Sequence, residues 1–213
     1  MIHIDTFVFN SFSVNTYILS DETNECMIVD AGCNSEKENS FLKNYIRTNS
    51  LTPVRLINTH CHIDHILGNN FVFNEFQISP EAHKDEEIIL SGARQHALMF
   101  GIQLQEPPNI SNFLTEKDII KFGNSSLDIL HVPGHSKGSL AFLSKTDGFV
   151  LAGDVLFSGS IGRTDLIGGN YQLLIQSIKE KLFVLDENTR VYPGHGEFTT
   201  IGKEIRSNPF FLD

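Results

Sequence analysis

A chain of 213 residues with 40% hydrophobic side chains, 17 Phe among them, is long and apolar enough to bury a sizeable core, which excludes intrinsic disorder. No apolar run approaches the length of a membrane-spanning helix, and the first ten residues lack the basic-then-apolar pattern of a secretory signal, so a cytoplasmic protein with no membrane partner is expected. With 16 Lys+Arg against 26 Asp+Glu, a net charge of −10 disfavours general affinity for nucleic acid, and 3 cysteines without a CxxC pair suggest neither a disulfide framework nor a structural zinc knuckle.

In chain order, Ile2–Phe9, Val14–Leu19 and Cys26–Asp30 read as strands separated by polar turn clusters. A helix is expected from about Ser35 to Arg47, with Phe41, Leu42, Tyr45 and Ile46 on one side. Pro53 introduces a short strand, Val54–Asn58, that runs straight into Thr59-His60-Cys61-His62-Ile63-Asp64-His65. The pattern then predicts a helix, a strand and a helical stretch from about Pro80 to Phe100, followed by a loop, Gly101–Thr115, that contains Pro107-Pro108. A second block of strands is expected at Ile119–Phe122, Leu127–Val132, Leu140–Ser144 and Phe149–Gly153. Tyr171–Leu185 has the clearest amphipathic spacing, through Leu174, Ile178, Leu182 and Leu185, and Thr189–Tyr192 is a last short strand. No repeat or Pro/Ser-rich linker divides the chain, so a single domain over 1–213 is the economical expectation. Strands followed by a helix in both halves suggest an α+β fold, a four-layer αββα sandwich.

The segment from His60 to His65 carries the strongest chemical signal. Three imidazoles and a carboxylate so close together suit zinc, iron or manganese. Placed at a strand end, His60 and His62 should share one side by alternation, while Cys61 points away into an apolar role. A helix starting near Asp64 would aim Asp64 and His65 toward a second metal position. Pro133-Gly134-His135, Ala152-Gly153-Asp154 and Pro193-Gly194-His195 each place a further donor just past a strand, beside a glycine that permits a tight turn. Together they suggest a dinuclear site. His3, His83 and His131 fit no ligand position, and His96 precedes the Gly101–Thr115 loop, which would form a wall of a cleft.

This ordered set, HxHxDH then GH, GD and GH, resembles the metallo-β-lactamase-fold hydrolases. The similarity runs from Val29-Asp30-Ala31-Gly32 to the C-terminal tail. It implies that His60, His62 and His135 bind one metal, that Asp64, His65 and His195 bind a second, and that Asp154 bridges the two. Two divalent ions follow, zinc first, with iron or manganese as alternatives. By the same resemblance Asp30 supports the ligands from behind; the alternative is that it only caps a turn.

The run Gly153-Asp154-Val155-Leu156-Phe157 with Ser160-Ile161-Gly162-Arg163-Thr164-Asp165, and the ending TTIG…NPF, resemble short single-domain glyoxalase-II-like (hydroxyacylglutathione hydrolase-like) proteins. Few residues follow His195, so the helical C-terminal glutathione-binding domain of full-length glyoxalase II is expected to be absent. The implied activity is hydrolysis of a thioester such as S-2-hydroxyacylglutathione, by attack of a metal-bridging hydroxide on the carbonyl. In that chemistry Asp154 sets the metal separation and Asp64 orients the hydroxide. Arg163 is the first candidate for gripping a substrate carboxylate and Lys137 the second; alternatively Arg163 braces Asp165 or Asp154, and Lys137 is solvated. A persulfide dioxygenase with one iron shares the HxHxDH motif, and a lactonase or phosphodiesterase would fit the same dinuclear site. A non-enzymatic metal-binding scaffold has least in its favour.

Overall fold

Three antiparallel strands, β1 (His3–Phe9), β2 (Val14–Ser20) and β3 (Glu25–Val29), form where alternation and turn residues place them. Asn10 and Ser13, at the two ends of the first turn, take positive φ of 53° and 59°, and Asn10 N–H is tied to Glu38 Oε1 at 2.8 Å. The computed structural model describes residues 1–212. Its backbone divides into two units: Met1–Leu114 with Lys121–Ser126, and Thr115–Ile120 with Leu127 onward.

In the first unit, α1 (Glu36–Thr48) begins where the Ser35 hydroxyl accepts the Glu38 N–H, and it buries Leu42 and Ile46. It is followed by β4 (Thr52–Ile57), α2 (Ile63–Ile66), α3 (Asn69–Phe76), β5 (Pro80–Ala82), a 3₁₀ turn at Lys84–Glu86, α4 (Glu87–Met99) and β6 (Asn112–Phe113). The sheet order is β1-β2-β3-β4-β5-β6, and every pairing from β3 to β6 is parallel. Ile18, Ile28, Leu42, Ile46, Leu56 and Val72 make one core of this unit. Each such side chain contributes roughly 1.5–3 kcal/mol through burial.

The helical stretch expected from Pro80 is corrected at its start. Pro80–Ala82 is a strand, because the Asn58 N–H donates to Glu81 O and the Leu114 N–H to Ala82 O, and these non-local bonds override local helix preference. The Gly101–Thr115 loop likewise contains β6, short as it is.

The second unit holds most of another sheet, ordered β14-β13-β10-β9-β8-β7. Its strands are β7 (Ile119–Phe122), β8 (Ser125–His131), β9 (Leu140–Ser144), β10 (Phe149–Gly153), β13 (Arg190–Pro193) and β14 (Thr199–Thr200). A small hairpin, β11 (Leu156–Phe157) with β12 (Ser160–Ile161), was not expected from the sequence, and neither was α6 (Ile201–Ser207). The tip of the β7–β8 hairpin belongs to the first unit, where Asp21 Oδ2 accepts the Asn124 N–H and the Ser125 hydroxyl, both at 2.8 Å.

The amphipathic Tyr171–Leu185 segment is also corrected. It is α-helical only over α5 (Tyr171–Ser177) and widens to a π-helical turn over Ile178–Leu182. Leu174, Ile178 and Leu182 still bury completely, against Val150, Val191 and Ile201. No helix among the described residues is long and apolar enough to cross a membrane.

Candidate metal centre

In each unit the candidate donors hang from the C-terminal ends of two adjacent parallel strands, the end at which open sheets present ligand sites. In the first unit the pair is β3 and β4. Asp30 follows β3 with φ of 54°, a left-handed conformation that Asp tolerates better than most residues. Its buried carboxylate accepts the Thr59 N–H and the Thr59 hydroxyl, each at 2.7 Å, and Nδ1–H of His65 at 3.0 Å. Because the Thr59 hydroxyl spends its proton on Asp30, its oxygen can only accept from Nδ1 of His60, 3.1 Å away. Both imidazoles therefore carry their proton on Nδ1 and leave Nε2 as the lone-pair nitrogen, the arrangement that ligand histidines adopt. Of the two roles open to Asp30, the hydrogen bond to His65 puts it behind a candidate ligand.

The strand alternation invoked for His60 and His62 needs correction, since β4 ends at Ile57 and both residues lie in the extended link before α2. They nevertheless bring ring nitrogens within 4.8 Å of one another, and Asp64 Oδ2 lies 3.6 Å from His65 Nε2. Between them Cys61 turns the other way, into an apolar cluster with Ile63, Ile66, Ala82 and Leu90. Burial, and then the negative charges of Glu86 and Asp30, push its thiol well above the ordinary range, so it stays a neutral apolar filler.

In the second unit the parallel pair is β10 and β13, joined at their ends by Gly194 N–H donating to Gly153 O at 2.8 Å. Asp154 and His195 follow side by side. Asp154 Oδ2 lies 3.6 Å from His195 Nε2 and 3.7 Å from His135 Nε2. His135 Nδ1–H donates to the backbone carbonyl of Arg163 at 2.7 Å, so it too offers Nε2. The glycines are required: Gly134 has φ of 134° and a Cβ there would collide with the backbone of Leu174, while one on Gly162 would strike the Asp154 carbonyl.

The donor set fits divalent metal ions. Separations of 3.6–3.7 Å exceed a hydrogen bond, yet metal–donor bonds of about 2.1 Å at tetrahedral angles put two donors about 3.4 Å apart. Imidazole and carboxylate together, without thiolate, suit zinc, iron or manganese.

The remaining predicted residues are placed as follows. Arg163 is exposed and forks onto Asp165 through two hydrogen bonds of 2.7 Å. The Arg163 guanidinium holds the Asp165 carboxyl down at about 2. Lys137 is exposed, and its carbonyl accepts from His131 Nε2 at 2.9 Å. His96 sits on α4 with its ring 5.4 Å from that of Phe100. His3 and His83 pair with Asp5 and Asp85, at 3.1 and 3.7 Å. Sequence reasoning missed Thr59, which links two histidines through Asp30, and the Arg163 carbonyl, a backbone atom that no side-chain pattern can signal.

Three proteins share 32% identity with the chain and differ in what they are named for. Hydroxyacylglutathione hydrolase GloC of Haemophilus influenzae aligns over 98% of this chain and 97% of its own. The crystal structure of the BLEG-1 B3 metallo-beta-lactamase superposes with a TM-score of 0.90, covering 99% of this chain and 100% of its own. The crystal structure of TTHA1623 in a di-iron-bound form superposes at 0.87, covering 97% and 99%. A sequence model of the Metallo-beta-lactamase superfamily matches residues 10–195, and with the α+β metallo-β-lactamase fold of these neighbours the chain belongs to that superfamily.

Proposed function

We propose that the chain is a metal-dependent hydrolase acting on a thioester of the S-2-hydroxyacylglutathione kind, with both donor groups serving one dinuclear centre. In this reading His60, His62 and His135 would hold one ion, Asp64, His65 and His195 would hold the other, and Asp154 would serve both. The observation that carries it is the uniform tautomer: His60, His65 and His135 each commit Nδ1–H to an acceptor within the fold and keep Nε2 for a ligand. When bound, divalent cations there supply Lewis acidity, making water nucleophilic near neutral pH and stabilising negative charge on a carbonyl oxygen.

The chain's own residues do the positioning. Asp30 orients His65 and, through Thr59, His60; the Arg163 carbonyl orients His135. Thioester is favoured because a thiolate, with a parent pKa of about 8.5, leaves without a proton donor, and no side chain need be assigned to that task. The GloC relative has the same linkage in its name. For an anionic substrate the exposed Arg163–Asp165 fork would have to open, which costs little for a solvated pair.

β-Lactam hydrolysis is the second reading, favoured by the likeness to BLEG-1 at equal identity. A side-by-side assay on metal-loaded protein with S-D-lactoylglutathione, an aliphatic lactone, a cephalosporin and a glutathione persulfide separates the readings. Fastest turnover of the thioester, lost in Asp154→Ala, is expected. Cephalosporin or lactone turnover without thioester turnover would replace the substrate class, and oxygen uptake with the persulfide would replace hydrolysis itself.

A further inference from the structure

The peptide that carries His60 is gripped from both sides. The Thr59 N–H on one side donates to Asp30 Oδ1 at 2.7 Å, and the Cys61 N–H on the other donates to Glu86 Oε2, also at 2.7 Å. These two carboxylates come from different elements: Asp30 from the end of β3, Glu86 from the last residue of the 3₁₀ turn before α4. Glu86 is completely buried, although it sits in the acidic run Asp85-Glu86-Glu87 whose other two members face solvent. A carboxylate taken wholly out of water costs several kcal/mol unless hydrogen bonds compensate it, so one buried here must do something that the neighbouring acids do not.

We propose that Glu86 is a positioning residue for the metal ligands: it anchors the His60-Cys61-His62 backbone and so holds the spacing of the two imidazoles. The inference rests on the metal-centre reading above. Cys61 is the hinge of this arrangement. Its side chain faces the apolar cluster of Ile63, Ile66, Ala82, Ile89 and Leu90, while its N–H is held by Glu86, so the residue between the two histidines is fixed at backbone and side chain alike. With β4 ending at Ile57 and α2 beginning at Ile63, the link lies outside the strand ladder; His62 caps α2, its carbonyl accepting the His65 N–H at 3.1 Å, while His60 lies in the stretch between the two elements. Glu86 supplies what the missing ladder would. Its place at the start of α4 couples the ligand loop to that helix, whose Ile89, Leu90 and Ala93 line the same cluster.

The test measures how fast metal-loaded protein loses its metal to excess chelator, with metal content per chain and thermal melting on the same samples. Glu86→Leu should lose metal about 10–100-fold faster than the parent chain, the usual cost of removing a group that orients a ligand. Glu86→Gln keeps an oxygen that can accept the Cys61 N–H and should retain metal within about threefold of the parent. Leu42→Ala, a core truncation away from the link, serves as the stability control; it should lower the melting temperature and leave metal loss unchanged. Parent-like metal retention in Glu86→Leu would overturn the inference, as would equally fast loss from Leu42→Ala, which would reduce the effect to general loosening. If the unaltered chain retains no metal, the metal-centre reading itself fails; if it does and Glu86→Leu matches it, only the role of Glu86 falls.

Discussion

Asp30→Asn isolates the hydrogen-bond logic of the site, because it changes one atom and no volume. The native carboxylate only accepts, taking protons from the Thr59 N–H, the Thr59 hydroxyl and His65 Nδ1–H. The amide presents one acceptor and one donor. If its oxygen keeps the Thr59 N–H, its NH₂ faces His65 Nδ1 and the Thr59 hydroxyl. That hydroxyl must then send its proton to His60 Nδ1, and His65 Nδ1 must become an acceptor. Both imidazoles shift their proton to Nε2, where a metal would bind. The other amide orientation sets NH₂ against the Thr59 N–H, which cannot change its proton, so the tautomer shift is the softer route. Leaving one buried donor badly paired costs about 1–3 kcal/mol. A chain of this size loses about 2–4 °C of melting temperature per kcal/mol, giving a drop of about 2–12 °C. Metal affinity should fall about 10–100-fold. Melting curves, metal content after dialysis and long-range proton–nitrogen spectra of the metal-stripped protein read all three quantities. Parent-like metal content with His65 still protonated on Nδ1 would show that Asp30 does not set these tautomers.

Further outcomes follow from the same geometry. Asp154→Asn should abolish binding of at least one ion and lower hydrolysis by about 10²-fold or more, because Asp154 Oδ2 stands between His135 and His195; unchanged metal content would show that the carboxylate is no ligand. Arg163→Ala removes an exposed pair and should leave the melting temperature within about 2 °C, while raising KM for an anionic thioester with kcat little changed; equal kinetics would assign the residue to Asp165 alone. Burial raises the Asp21 carboxyl, but hydrogen bonds from Thr23, Ser125 and Asn124 outweigh it and bring it down to about 2. A depressed pKa stabilises the fold above the unfolded value of about 3.9 and loses that contribution as pH falls toward 2. Asp21→Asn should therefore lower stability at pH 7 and flatten its decline between about pH 4 and 2; a parallel offset down to pH 2 would contradict this.

The donors were legible from sequence because each follows a short apolar strand and, for His135, Asp154 and His195, directly follows a glycine. Strand-end placement held for Asp154 and His195, which leave β10 and β13 together. It held only loosely for His60 and His62, because alternation presumes a strand and β4 stops before them. The supporting groups were far less readable. Glu86 looks like a solvated acid in an acidic run, and only the fold turns it inward onto Cys61. The Arg163 side chain drew attention to a substrate role, whereas the atom that touches a candidate ligand is its carbonyl oxygen. A strand was expected ahead of Pro80 and lies instead at Pro80–Ala82, because its position is set by partners distant in sequence. In α5 the leucine spacing correctly marked the buried face, but a π-helical turn buries nearly the same side chains and leaves no different periodic trace.

The proposed hydrolysis depends on this chain holding two divalent ions on imidazole and carboxylate donors. Elemental analysis of freshly purified protein, repeated after loading with zinc, iron or manganese and removal of excess, tests it most directly. About two ions per chain are expected, falling by about one or more in Asp154→Ala. A chain that takes up no metal under any loading, or that holds a single iron and takes up oxygen with a persulfide, would contradict it.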